Sequence, residues 1–207
     1  RHEEAIEKYK LAVKYKPDFA EAYYNWGVAL GALGRHEEEI EKYKLAVKYK
    51  PDYANAYYNW GAALGALGRH EEALEKYELA VKYKPDDVEA CWNWGLALVE
   101  LGRYEEAIEK FKLALKYKPD YADAYSDWGA ALGNLGRWQE AIEKFDMAVK
   151  YKPDFVEAYY NWGVALGRLG RHEEAIEKMC KAKELLEKQG ISPPGAWPSW
   201  FDPKKCK

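Results

Sequence analysis

Apolar side chains recur along this chain at three- and four-residue steps, in short blocks that each stop at a glycine or a proline. Between Glu21 and Leu33 the spacing sets Ala22, Trp26, Ala29, Leu30 and Leu33 on one stripe, which predicts an amphipathic helix closed by Gly34. From His36 to Tyr49 a second helix is predicted, with Ile40, Tyr43, Ala46 and Val47 on one face and Glu37, Glu38, Glu41, Lys44 and Lys48 elsewhere. Pro51 and Asp52 end it. Acidic residues open this helix and lysines close it, the order that the helix dipole favours. Pairs such as Glu41 and Lys44 add a few tenths of a kcal/mol on the solvated side.

The pattern then repeats. Gly-Arg stands at residues 34–35, 68–69, 102–103, 136–137 and 170–171, and Lys-Pro-Asp begins at 16, 50, 84, 118 and 152, so every step is 34 residues. The 207 residues divide into a leading segment 1–19, five units at 20–53, 54–87, 88–121, 122–155 and 156–189, and a trailing segment 190–207. Residues 1–19 match only the second helix of a unit.

In the second unit the residues that recur are Tyr57, Trp60, Gly61, Ala73, Tyr77, Ala80 and Pro85. This series resembles the tetratricopeptide repeat, over about nine tenths of the chain. The resemblance implies an all-α fold, an α-solenoid of antiparallel helix pairs wound into a right-handed superhelix with the first helix of each unit lining its concave side. Gly27, Gly61, Gly95, Gly129 and Gly163 let the two helices of a unit approach closely. Departures stand out. Trp26, Trp60, Trp94, Trp128 and Trp162 replace the Leu usual before that glycine, and Glu39 stands where other units have Ala, which suggests local loosening or a carboxylate facing a partner. Met179 replaces the second-helix aromatic and Glu187 the closing Pro, so the last helix is expected to run on to Gly190.

Composition narrows the function. Lys and Arg number 32 against 35 Asp and Glu, a net charge of −3, which gives no long-range attraction to phosphate backbones or anionic lipid. Nucleic acid is not an expected partner, and an RNA-binding pentatricopeptide reading lacks both the 35-residue period and a basic groove. No apolar run approaches the roughly 18 to 20 residues that a bilayer span needs, so no membrane insertion is expected. Cys91, Cys180 and Cys206 are odd in number, far apart and without CxxC spacing, which argues against a disulfide framework and fits a reducing compartment. The compartment itself is not legible; the cytoplasm is favoured.

No catalytic constellation, metal set or cofactor motif emerges. His2, His36, His70 and His172 lie multiples of 34 residues apart, too far to share a metal across stacked helices, and Tyr104 and Trp138 fill the same place in other units. The run from His36 to Ile40 ends in Ile, not in the His of a zinc motif. Cys91 fills the slot of Tyr23, Tyr57, Tyr125 and Tyr159, as a small buried hydrophobe would.

The surface left to act is the groove. Under the family geometry it carries Tyr24, Tyr58, Trp92, Ser126 and Tyr160, then Asn25, Asn59, Asn93, Asp127 and Asn161, with Val28, Ala62, Leu96, Ala130 and Val164 one turn on. Gly31, Gly65 and Gly133 keep the floor small enough for a ligand backbone. A row of asparagines one unit apart can pair with successive peptide groups, and it resembles the asparagine ladder of the O-GlcNAc transferase repeat domain, interrupted here by Asp127. A second reading stays open, in which these amides bond neighbouring helices and the rings fill space. A clamp for acidic chaperone tails would need Lys and Arg where this lining has only Arg168.

At the other end, Trp197, Trp200 and Phe201 follow a proline-rich run; they either plug the last helix or enter another copy, in a contact that closes into a ring or propagates as a fibre. The expected function is a non-catalytic scaffold that binds an extended peptide through Tyr24, Asn25, Tyr58, Asn59, Trp92, Asn93, Asp127, Tyr160 and Asn161. The alternatives are a self-assembling structural protein, hence a homo-oligomer, or the targeting arm of a larger enzyme.

Overall fold

The computed structural model describes residues 1–190 and 197–206. Residues 191–196, the start of the expected plug, and Lys207 lie outside the described residues. The described fold is all-α and divides into two compact units, Arg1–Arg103 and Tyr104–Lys207. The division falls inside the 34-residue unit predicted at 88–121.

The first unit holds α1 (His2–Tyr15), α2 (Ala20–Gly31), α3 (His36–Tyr49), α4 (Ala54–Ala66), α5 (His70–Tyr83) and α6 (Val88–Glu100). The second holds α7 (Tyr104–Tyr117), α8 (Ala122–Asn134), α9 (Trp138–Tyr151), α10 (Val156–Arg168) and α11 (His172–Gln189), followed by a 3-10 turn, Pro203–Lys205. Within each unit short turns join the helices, so consecutive helices pack as antiparallel neighbours. Helix α2 stops at Gly31, short of the expected Leu33, because Leu33 bonds back only three residues to the Leu30 carbonyl. The Arg35 N–H then also reaches the Leu30 carbonyl, with Gly34 at φ +71°. That left-handed turn explains the recurring Gly. Helix α11 runs to Gln189, capped by Gly190 in the same conformation, since no proline stops it earlier.

In four of the helix pairs one contact sets the spacing. A Cβ placed on Gly27 would lie 2.5 Å from the Tyr43 ring, on Gly61 2.8 Å from Tyr77, on Gly129 2.6 Å from Phe145 and on Gly163 2.8 Å from Met179. Tyr43, Tyr77, Phe145 and Met179 are all buried, so the first helix of a pair rests its bare backbone directly on the large side chain of the second. Ala73, Ala141 and Ala175 are likewise buried, one turn before that side chain.

The tryptophans that replace leucine are explained by a lysine sixteen residues on. Lys42 lies 4.1 Å over the Trp26 ring, Lys76 4.7 Å over Trp60, Lys144 4.5 Å over Trp128 and Lys178 4.4 Å over Trp162. Each such contact contributes about 0.5–1 kcal/mol at a partly exposed site. The cost falls on the indole N–H of Trp128 and of Trp162, each buried without a hydrogen-bond partner among the described residues.

Two expectations are corrected. Glu39 neither loosens its unit nor faces a partner: it is buried, accepts a hydrogen bond from the Tyr43 hydroxyl at 2.9 Å and lies 2.9 Å from His36 Nδ1. It fits because Gly31 has no side chain in its way. The cysteine reading fails for two of the three residues. Cys180 and Cys206 form a disulfide, with Cα atoms 5.3 Å apart, because the tail turns back across α11 and cancels their separation in sequence. Cys91 takes no part in the bridge and is buried, in the tyrosine slot.

Two measurements test this packing. Gly129→Ala should lower the unfolding free energy by about 1–3 kcal/mol in a urea titration, since the added methyl group meets a buried ring. Gly65→Ala, at a helical position where a Cβ meets no atom within 4 Å, should raise it by about 0.5–1 kcal/mol. Cys206→Ser removes a crosslink spanning 26 residues of sequence; it should destabilise the folded tail by about 3 kcal/mol, read as faster proteolysis before Trp197.

Candidate functional site

In the first unit the expected groove residues lie on α2, α4 and α6. Tyr24, Tyr58 and Trp92 are half-buried, Asn59 and Asn93 are half-buried and Asn25 is exposed. A bond between consecutive repeats fixes two of the amides. Asn59 Nδ2 donates to the Tyr24 hydroxyl at 3.1 Å, and Asn93 Nδ2 donates to the Tyr58 hydroxyl at 3.3 Å and to the Glu89 carbonyl at 2.9 Å. Tyrosine and asparagine are 35 residues apart in both cases, one more than the period, so the register contained the signal. The nitrogen side of these amides is therefore engaged inside the protein.

The rings are packed as well as exposed. Tyr24 lies 4.9 Å from Tyr53 and 6.0 Å from Tyr43 between centroids, and Tyr58 lies 6.2 Å from Tyr77. Burial, with Asp87, Glu89 and Tyr24 nearby, pushes the Tyr58 hydroxyl above its ordinary range. Burial does the same to Tyr43 more strongly, aided by the Glu39 carboxylate, so both remain neutral hydrogen-bonding groups at ordinary pH. At the edge, Glu21 pairs with Lys50 at 3.3 Å. Asp87 replaces the aromatic that other repeats place there; it accepts from Ala90 N–H at 3.1 Å and pairs with Lys84 at 3.0 Å.

In the second unit Asp127 lies on α8, and Tyr160 and Asn161 on α10, all half-buried. The place corresponding to Tyr58 is Ser126, which is buried. Asn161 and Val164 of α10, with Gly133 of α8 and Trp138 of α9, border a cavity of about 170 Å³. The described tail lies against this unit. Trp197 packs on Val156, Leu185 and Leu186, with its ring 5.8 Å from Tyr160, and Phe201 is buried 5.0 Å from Trp197. Trp200 covers Gly167, where a Cβ would lie 2.7 Å from its indole, and its ring is 6.3 Å from His172.

A larger cavity, about 600 Å³, lies beside the disulfide and is lined mainly by charged side chains of α11; of the expected groove residues none borders it. Among the described residues no group of three or more His, Cys, Asp or Glu is arranged to hold a metal ion. No described helix is long and apolar enough to cross a membrane.

Comparison with known proteins agrees with this architecture. A family model described as TPR repeat matches residues 1–34, 31–68, 64–102, 95–136 and 131–170, and one described as tetratricopeptide repeat matches 156–188. No curated protein sequence matches the chain. Among solved structures, a crystal structure of MamA is 27% identical with a TM-score of 0.76, covering 79% of this chain and 96% of its own. A MamA fragment from Desulfovibrio magneticus RS-1 is 24% identical with a TM-score of 0.77, over 82% and 96%. YrrB, described as a TPR protein with an unusual peptide-binding site, is 23% identical with a TM-score of 0.76, over 89% and 95%. With repeat models matched from residue 1 to residue 188, and with the helix pairs, glycine contacts and turns described above, the chain belongs to the tetratricopeptide repeat family.

Proposed function

We propose that this tetratricopeptide protein is a non-catalytic scaffold that captures an extended polypeptide, and that the capturing surface is formed by α2, α4 and α6. The observation that carries this reading is the pair of inter-repeat bonds, Tyr24 to Asn59 and Tyr58 to Asn93. They tie two amides, one repeat apart, each by its nitrogen to the tyrosine of the preceding repeat, which leaves an oxygen on each for a ligand. An extended peptide presents N–H groups along one edge and can use such a row without regard to its side chains. Tyr24, Tyr58 and Trp92 beside the row offer flat faces to apolar or proline-rich side chains. Asn25 extends the row at one end. In the second unit Asp127, Tyr160 and Asn161 hold the corresponding places, but there the tail's own Trp197 already packs on Tyr160.

The partner is a neutral or basic peptide. Glu21 and Glu89 at the edge of α2 and α6 disfavour an acidic one, while a lysine or arginine near the peptide would be drawn to them.

A second reading, end-to-end self-assembly, is favoured by α1, where Leu11 is 52% and Tyr15 81% exposed. Light scattering over a hundredfold range of concentration separates the two: constant mass favours capture, and rising mass favours assembly. Screening a degenerate peptide library and then testing Asn59→Ala with Asn93→Ala should show binding weakened by about tenfold, the worth of one to two hydrogen bonds, with the helical content retained. Unchanged affinity would remove the ladder from the mechanism. Tyr58→Phe should lower stability by about 0.5–1.5 kcal/mol in a denaturant titration and weaken the same peptides, because Asn93 loses the bond that orients it.

A further inference from the structure

The repeats differ at one place on the floor. In four of them a glycine stands near the end of the first helix, and what covers it changes from repeat to repeat. At Gly31 it is the Glu39 carboxylate, 2.6 Å from where a Cβ would stand. At Gly133 it is the repeat's own Trp138, at 3.0 Å. At Gly167 it is Trp200, delivered by the tail. At Gly65 a Cβ would meet no atom within 4 Å.

The surroundings of Gly65 follow from the unbroken period. Gly133, Trp138, Asn161 and Val164 border a cavity of about 170 Å³. Two periods earlier, all within the first unit, the same places are held by Gly65, His70, Asn93 and Leu96. His70 is smaller than Trp138 and leaves its glycine bare. The Gly65 and His70 pair is also the pair found in the fifth repeat, Gly167 and His172, and there the chain seats an indole. So in both repeats of the second unit where this glycine occurs an indole lies on it, and the first unit has one such floor on which no described residue lies.

We propose that the bare floor at Gly65, between His70 and Asn93, is a pocket for the side chain of a tryptophan in the bound peptide; this rests on the groove reading above and names the residue that gives it specificity. An indole lies flat against a glycine backbone, where a side chain on the helix would hold it off. The imidazole of His70 supplies a ring beside it, as His172 does for Trp200. Asn93 turns its nitrogen to Tyr58 and Glu89 and keeps an amide oxygen as acceptor for an N–H of the ligand. The chain's own occupant shows the class of sequence that suits such a floor: Pro198, Ser199, Trp200 and Phe201, an uncharged, proline-bearing turn in which the Phe201 N–H donates to the Pro198 carbonyl at 2.8 Å.

The probe is a fluorescent, C-terminally amidated peptide of the sequence of residues 197–201, titrated into the full oxidised chain, whose own tail is held by the Cys180–Cys206 bridge. Two variants close the pocket from different sides. Gly65→Leu fills it from α4, at a helical position where Leu is the better helix former. His70→Trp copies the residue that the fourth repeat carries at the same place. Both should melt no lower than the parent chain and should weaken the peptide by at least about tenfold, as should replacing the peptide's second Trp by Ala. Binding undiminished in both variants, or indifferent to that Trp, overturns the pocket. If library peptides still bind and are released by Asn59→Ala with Asn93→Ala, the groove reading survives that result; if no peptide binds the parent chain, the pocket and the groove reading fall together.

Discussion

The contact between a glycine of the first helix and a large buried side chain of the second is what the rest of the structure depends on. With an ordinary side chain at Gly61 or Gly129 the helices of a pair would have to move apart, and the ring of Tyr77 or Phe145 would lose its backing. Because the two helices close on that ring, the outer rows of the first helix fall at a fixed height, and residues one position past the period meet across consecutive repeats. That is why Tyr24 finds Asn59 and Tyr58 finds Asn93. Packing inside the pair thus sets the hydrogen bonds between pairs, and those bonds fix the nitrogen side of the two amides.

Charge plays a lesser part. The Arg after four of the turn glycines pairs with a Glu three residues later, as Arg69 does with Glu72 and Arg137 with Glu140, both at 2.6 Å. These pairs are about half exposed, and such pairs contribute little. They keep the second helix soluble and its start tidy. The lysines over the tryptophans matter more, because they allow a large ring to stand where the family has leucine. Lys42 and Lys76 shield one face of Trp26 and Trp60 while keeping their ammonium groups near water.

Much of this was legible in the sequence. The period, the helix pairs, the turn glycines and the close approach at Gly27 or Gly163 all follow from local spacing, which repeats without insertion. The site was legible as a set of places and not as a set of states. Asn59 and Asn93 were identified by position, but whether their amides face a partner or a neighbour depends on the depth at which adjacent repeats nest. Glu39 was misread because an Ala-to-Glu change looks like a defect until Gly31 is seen to leave space for the carboxylate and Tyr43 to donate to it. The disulfide was missed for a different reason. Cysteine spacing carries information when the intervening chain is regular, and the 34-residue period ends before Cys206, so it does not encode where that residue meets α11.

The tyrosine-to-asparagine bond has a consequence for how such a chain can change in length. The second repeat carries both the acceptor for the next repeat, Tyr58, and the donor for the one before, Asn59. Duplicating or excising that whole period therefore keeps a tyrosine and an asparagine facing each other at the new junction. Losing a single residue inside a helix does the opposite, turning every later side chain of that helix by about 100° and breaking the joints on both sides at once. At these two junctions a change in length by whole periods keeps the bond, whereas a change by single residues keeps it only when it falls in a turn.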